Sequence, residues 1–277
     1  MNILITGSNG QLGSEIREIS YKYKKFNFIF KDLPYLDICN FKILQNFIQN
    51  YNIKAVINCA AYTNVDLAEQ NSKLAESVNS MGVYNLIDAL KAVDGKLIHI
   101  STDYVFDGSK SIPYIESDPV SPIGVYGKSK RAGELAVLNC NLDAIIIRTS
   151  WLYSSFGNNF VKKVLSLANN QKSLKIISDQ IGSPTYAGDL AKICTDILCE
   201  RNFEKISKNG KTYHYSNEGI ISWYDFAIAI IELGGVSCEI KPIKTKDYPA
   251  LATRPQYSVL NNSKIKNDFK FEIFHWK

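Results

Sequence analysis

In Val125-Tyr126-Gly127-Lys128-Ser129-Lys130 a phenol and an ammonium stand four residues apart. On a helix that spacing puts both on one face, within reach of a single ligand. A free tyrosine ionises near pH ~10 and is a poor acid or base at neutrality. A lysine cation beside it favours the phenolate and lowers its pKa towards the working range. Such a pair can give a proton to a carbonyl oxygen as hydride reaches the carbon. Alone it means little, because most Y-x-x-x-K pairs are a solvated lysine beside a packed aromatic. Thr102, 24 residues upstream in Ser101-Thr102-Asp103-Tyr104-Val105-Phe106-Asp107-Gly108, is a candidate partner. It follows the apolar run Lys96–Ser101, so its hydroxyl lies at the carboxyl edge of a strand, where open α/β sheets bind ligands.

A hydride source needs its own elements, and the chain start provides them. Met1–Thr6 reads as a short buried strand, Gly7-Ser8-Asn9-Gly10-Gln11-Leu12-Gly13 as a glycine loop, and Ser14–Ile19 as a helix. Strand, glycine loop and helix form the context in which backbone N–H groups and the helix dipole cradle a dinucleotide pyrophosphate. The spacing is G-x-x-G-x-x-G. Asp32 follows the apolar run Phe26–Phe30, about 20 residues past the loop, where an acid binds the adenosine ribose hydroxyls. Lys31 beside it would suit a 2′-phosphate instead, so NADH and NADPH both stand.

Onward, Phe41–Asn50, Leu67–Lys91 and Ser129–Asn139 carry helical spacing, and Ala55–Ala60, Lys96–Ser101 and Ala144–Arg148 read as buried strands. Continuous Ile/Val-rich strands separated by helices predict a doubly wound parallel sheet of Rossmann type over residues 1–150. Residues 151–277 predict a smaller α/β lobe, with helices at Asn159–Asn169, Gly188–Glu200 and Trp223–Leu233 and a strand at Thr212–Ser216; some of these segments can return to the first domain. Ser222 and Asp225 have the spacing of a capping box for the last helix.

Composition fits an enzyme of one large domain or two lobes. The 277 residues are 45% hydrophobic and 21% charged. The net charge of +5 comes without a dense basic stripe, which argues against nucleic acid and suits an anionic small molecule such as a sugar nucleotide. Six cysteines without a C-x-x-C pattern point to reduced thiols in the cytoplasm. No apolar run reaches the ~20 residues of a membrane span, and a strand from residue 3 leaves no room for a signal peptide.

The segments GSNGQLG (7–13), NCAAYTNVD (58–66), STDYVFDG (101–108), VYGKSK (125–130), RTSWLY (148–153) and DQIGSPTY (179–186) follow one another in this order. Together with Arg254–Leu260 and Phe274-His275-Trp276, they resemble the extended short-chain dehydrogenase/reductases, specifically their dTDP-4-dehydrorhamnose reductase branch, over nearly the whole chain. The resemblance implies that Thr102, Tyr126 and Lys130 are the catalytic hydroxyl, the proton donor and the lysine that tunes it and holds the nicotinamide ribose. It assigns Gly7, Gly10, Gln11, Leu12 and Gly13 to the pyrophosphate, Asp32, Asp37 and Ile38 to the adenosine end, and Ala61, Tyr62 and Thr63 to the middle of the cofactor. Asp103, Tyr104 and Trp151 would face the sugar, with Val65 and Arg254 as further substrate residues, the arginine for a phosphate oxygen.

What the resemblance implies for function is NAD(P)H-dependent reduction of the C4 ketone of dTDP-4-dehydro-β-L-rhamnose to dTDP-β-L-rhamnose, for a surface polysaccharide. The rivals are a dTDP- or UDP-sugar epimerase or dehydratase with the same triad, a reductase of opposite stereochemistry giving dTDP-6-deoxy-talose, and a nucleotide-binding regulatory subunit without turnover. Some reductases of this branch are homodimers bridged by magnesium. Glu15 stands where one such acid would, but Gly188 stands where another is needed, with Asp189 beside it; no metal ligand is assigned.

Overall fold

The Ile- and Val-rich runs line up in one parallel six-stranded sheet. Its order is Lys211–His214, Asp143–Thr149, Lys96–Thr102, Ile53–Asn58, Asn2–Thr6 and Asn27–Phe30. The computed structural model describes residues 1–199, 203, 207 and 210–277. In register, Ile5 lies beside Ile57, Ile57 beside Ile98, and Ile98 beside Ile145. Because side chains alternate across a strand, these residues fill one face and Leu4, Val56, Leu97 and Ile146 fill the other. The first face packs on helices Gln11–Ile19, Ala187–Cys199 and Ser263–Phe269, and the second on Phe41–Asn50, Gly82–Lys91 and Val125–Leu138. Both faces are covered, so the strands are apolar throughout rather than alternating.

The chain reverses direction across the sheet at Asn2–Thr6, which is flanked by Asn27–Phe30 on one side and Ile53–Asn58 on the other. Such a switch point opens a crevice at the carboxyl ends of the strands. The loops that leave two of these strands, at Gly7–Gly10 and Cys59–Thr63, border that crevice.

A second core lies over it. Helices Phe160–Ala168 and Trp223–Gly234 pack through Val164, Ala168, Phe226, Ala227 and Ile230 onto the parallel pair Ser173–Ile177 and Glu239–Ile243. The expected capping box is present: the Ser222 side chain accepts from the Asp225 amide, and the Asp225 carboxylate accepts from the Ser222 amide. The expected strand at Thr212–Ser216 is observed as Lys211–His214. It belongs to the main sheet, beside Asp143–Thr149, because Tyr213 and Tyr215 are buried in the first-face core. The layers therefore follow a boundary at 150 only in part. Glu200, the expected last residue of one helix, lies outside the described residues.

Two other departures shape the site. The helix expected at Ser129–Asn139 begins at Val125, four residues earlier, and so includes Tyr126. The expected helix Leu67–Lys91 is broken into Val65–Gln70, Ser72–Glu76, a π-helical turn Ser77–Met81, and Gly82–Lys91. Inside that turn, Asn79 accepts from the Tyr62 amide and donates to the Tyr62 carbonyl and to Ser129 Oγ. It ties the loop after Ile53–Asn58 to helix Val125–Leu138, as π turns at functional sites often do.

Candidate active site

A cleft of about 790 Å³ runs between the two cores, within the roughly 300–1,000 Å³ typical of ligand sites. One end is the glycine loop. Gly7 has φ +58°, and a Cβ there would lie 2.6 Å from the Ala60 amide, so only glycine fits. The loop closes through the Gly10 amide onto the Gly7 carbonyl at 3.1 Å, and the helix starting at Gln11 turns its N-terminus to the cleft, which suits an anion. The Asp32 carboxylate is oriented by two backbone amides, Asn9 N at 2.9 Å and Leu33 N at 2.8 Å. The Lys31 ammonium lies over the Phe47 ring, 5.7 Å from its centroid. Leu12, Asp37, Ile38, Ala61, Tyr62, Thr63 and Val65 complete the lining on this side. A cradle that only glycine can form, an anion-favouring helix start and a fixed acid together fit a dinucleotide.

In the middle, strand Lys96–Thr102 delivers Thr102 and helix Val125–Leu138 delivers Tyr126 and Lys130 to the same wall. Thr102 Oγ1 accepts from the Tyr104 amide at 3.2 Å and donates to Asp103 Oδ1 at 3.0 Å. Burial pushes Asp103 up to about 6, while the Ser258 and Thr102 hydroxyls draw it down. Lys130 is 2% exposed and donates to the Ile100 carbonyl at 2.6 Å. Burial lowers it to about 8, against the opposing influence of Glu134 and Cys59.

The tuning expected of this pair runs the other way. Burial pushes Tyr126 up to about 12, the Thr102 hydroxyl easing it and the Asp103 charge adding to it. The cost of a buried phenolate dominates, and the Lys130 ammonium is engaged by the Ile100 carbonyl. Tyr126 is thus held as a neutral phenol, which is the form that donates a proton.

Helix and turn meet at Gly127. A Cβ there would come within 2.2 Å of the Tyr104 carbonyl and 3.0 Å of Pro122 Cβ. Gly127→Ala is expected to lever Tyr126 away from Thr102, cutting turnover and costing about 1–3 kcal/mol of stability. Urea denaturation alongside steady-state kinetics would measure both, and a variant with unchanged turnover would remove the contact's importance.

At the far end Trp151, with φ +47°, stacks on Trp223 with ring centroids 3.6 Å apart and planes inclined by 10°. Both line the cleft with Tyr104, which meets Tyr126 edge-on at 5.6 Å. Trp223 was missed in the sequence, where it reads as the first residue of an amphipathic helix; nothing around the distant Trp151 signals a second ring stacked on it.

Other expected residues are placed differently. Arg254 is outside the lining: its guanidinium donates to Asp66 Oδ2 at 2.7 Å and to the Ala252 carbonyl at 3.1 Å, so its charge is already paired. Gly13 also lies off the cleft, where a Cβ would meet Ser8 Cα at 2.5 Å; it serves packing of helix against loop. Gln11 lines the cleft but also accepts from Asn159 Nδ2 at 3.0 Å, joining the lobes. Glu15 accepts from Ser154 at 2.6 Å, and Asp189 accepts from Asn217 at 2.7 Å. Among the described residues, no group of three or more His, Cys, Asp or Glu side chains is arranged to hold a metal ion, and no helix is long and apolar enough to cross a membrane.

The chain is similar to known proteins over nearly its whole length. A dTDP-4-dehydrorhamnose reductase from Aggregatibacter actinomycetemcomitans is 41% identical, covering 99% of this chain and 95% of that one. Among solved structures, a dTDP-4-dehydrorhamnose reductase from Clostridium acetobutylicum superimposes with a TM-score of 0.92 at 41% identity, covering 99% of this chain and 95% of that one. A dTDP-4-dehydrorhamnose reductase from Bacillus anthracis, in complex with NADP, superimposes with a TM-score of 0.93 at 36% identity, over the same shares of the two chains. The family model for the RmlD substrate binding domain matches residues 1–277. The chain belongs to the RmlD substrate-binding-domain family.

Proposed function

We propose that the chain is an NAD(P)H-dependent 4-ketoreductase that converts dTDP-4-dehydro-β-L-rhamnose to dTDP-β-L-rhamnose, an activated sugar for polysaccharide synthesis. The observation that carries this reading is the convergence of Thr102, Tyr126 and Lys130 on a cleft that begins at the glycine loop. It is supported by relatives named for that reaction and by one solved with NADP.

A reduced nicotinamide, when bound, supplies the hydride. Tyr126, held as a neutral phenol, gives its proton to the ketone oxygen as charge develops there. Thr102 turns its hydroxyl from Asp103 to the same oxygen and adds a second donor. Lys130, fixed on the Ile100 carbonyl one helical turn away, stabilises the negative charge left on Tyr126. Trp151 and Trp223 form a flat wall for the sugar, and Asp103, Tyr104 and Val65 orient it. Gly7, Gly10 and Leu12 hold the pyrophosphate, and Asp32, Asp37 and Ile38 the adenosine.

Asp32 is anchored at both oxygens, so a 2′-phosphate would meet a fixed negative charge. Asp32→Ser is expected to weaken NADH and improve NADPH, shifting the ratio of their kcat/KM values by at least about tenfold, or roughly 1.4 kcal/mol. An unchanged ratio would show that Asp32 does not read the ribose.

The cytoplasm is the proposed compartment, in keeping with six cysteines that form no C-x-x-C pattern. A homodimer is a further proposal, favoured by Met81 and Tyr84, exposed where the π-helical turn meets helix Gly82–Lys91. Incubation with dTDP-4-dehydro-L-rhamnose and each cofactor tests the reading. Stoichiometric loss of reduced-cofactor absorbance, with dTDP-L-rhamnose identified by NMR, is expected. A catalytic amount of NAD sufficing would indicate an epimerase, a 6-deoxy-talose product the opposite stereochemistry, and no reduction of any dTDP-4-keto sugar a regulatory subunit.

A further inference from the structure

Behind the catalytic lysine lies a file of buried polar groups with no part in the mechanism above. Thr6 Oγ1 donates to Asn58 Oδ1 at 2.6 Å, and Asn58 Nδ2 faces His99 Nδ1 at 3.1 Å. His99 Nε2 in turn lies 3.5 Å from Lys130 Nζ. None of the four residues is more than 2% exposed. They come from three adjacent strands, Asn2–Thr6, Ile53–Asn58 and Lys96–Thr102, and end on the catalytic helix.

Hydrogen-bond polarity runs through the file. The Asn58 carbonyl is occupied by Thr6, so its amide donates to His99 Nδ1 and that nitrogen must accept. Burial and the Lys130 charge hold His99 well below its ordinary pKa, so the imidazole is neutral. Its single proton is therefore on Nε2, the nitrogen that faces Lys130. An ammonium and an N–H at that position are two donors pointed at each other, whereas an amine lone pair would accept the N–H. The other groups acting on the lysine are the Ile100 carbonyl, which accepts from it at 2.6 Å, Glu134 on its own helix and Cys59 beyond strand Ile53–Asn58.

We infer that His99, oriented by Asn58 and Thr6, is a positioning residue for the reduction: its Nε2–H, set against the back of Lys130, makes that lysine a readily discharged cation rather than a permanent one. The inference rests on the ketoreductase reading. It makes the alkaline limit of activity a property of strands beneath the site as well as of the lysine's own burial.

The test is the pH dependence of kcat/KM and, separately, of NADH binding by fluorescence titration, in the full-length protein. Asn58→Asp puts an acceptor opposite Nδ1, moves the imidazole proton there, and leaves Nε2 to accept from the ammonium. The alkaline limb in both profiles is expected to move up by about one pH unit, a tenfold gain in lysine proton affinity. Adding His99→Leu to Asn58→Asp is expected to return the limb to its position in His99→Leu alone. A limb that stays in place in Asn58→Asp overturns the inference, since a structural defect lowers activity at every pH without moving it. So does a shift that survives in the double variant, because the carboxylate would then act on Lys130 directly. Should the variants fail to fold, 15N NMR of the wild-type imidazoles decides: a His99 proton on Nε2 supports the inference, and one on Nδ1 overturns it. Absence of ketosugar turnover in the wild type would sink the functional reading instead, and the NADH profile would still report on Lys130.

Discussion

Tyr126→Phe is expected to lower kcat by roughly two to four orders of magnitude, the usual contribution of a positioned general acid, while NADH still binds. The substitution removes one oxygen and keeps the ring that meets Tyr104 edge-on at 5.6 Å. The glycine loop and Asp32 lie at the other end of the cleft and gain or lose no contact. Thr102 alone would then face the ketone oxygen, with one hydroxyl and no proton to surrender at a useful pKa. Steady-state kinetics with dTDP-4-dehydro-L-rhamnose, paired with fluorescence titration of NADH, separates the two effects. Near-normal kcat in this variant would remove Tyr126 from the chemistry.

The second large effect is on stability. Glu134, on the same helix, is fully buried and takes two parallel hydrogen bonds from the equally buried Arg148, at 2.7 and 2.8 Å. Arg131 adds a third at 2.8 Å. Arg148 continues to His214 Nε2 at 3.3 Å and covers Phe106, so the group locks helix Val125–Leu138 to two strands of the sheet. Burial raises the Glu134 carboxyl, but the Arg148 hydrogen bonds and charge bring it below its ordinary pKa. Glu134→Ala would leave the Arg148 guanidinium without its principal partner, and is expected to cost about 3–5 kcal/mol in urea denaturation with an unchanged m-value. The pH dependence has a definite sign. A carboxyl whose folded pKa is depressed contributes stability above its unfolded pKa and loses it as pH falls through the folded one. Wild type should therefore lose this contribution on acidification, and the variant should show a flatter acid limb. A loss under 1 kcal/mol would mean that water or a neighbour replaces Glu134.

Much of the architecture was legible because it depends on local pattern. Apolar runs marked the strands, Gly7 announced a turn that no other residue can make, and Ser222 with Asp225 marked a helix start. What escaped depends on partners distant in sequence. The helix that carries Tyr126 begins at Val125, whose amide donates to Glu69 Oε1 at 2.8 Å, a cap supplied by another helix. The ion pair of Arg254 with Asp66, 188 residues away, could not be read from the sequence. The Tyr126 shift was read with the wrong sign because spacing reveals the nearby lysine but not the burial, nor the carbonyl that engages it. Trp223 and His99 are similar: each looks like an ordinary core residue until its neighbour across the fold is known.

The sixth strand of the sheet has a mechanical consequence. Past the second core's strand Ser173–Ile177 the chain returns to the first: helix Ala187–Cys199 packs on Gln11–Ile19 and Lys211–His214 pairs along Asp143–Thr149, before Trp223–Gly234 rejoins the second core. The polypeptide thus passes repeatedly between the two cores, laced rather than hinged. A cut near residue 150 would strip the strand edge of Asp143–Thr149 and expose Ile145 and Ile147, so neither fragment is a self-sufficient folding unit. Heat or denaturant should melt the molecule in one cooperative transition, and a protease nick between the lobes should leave two pieces that remain associated until they unfold together.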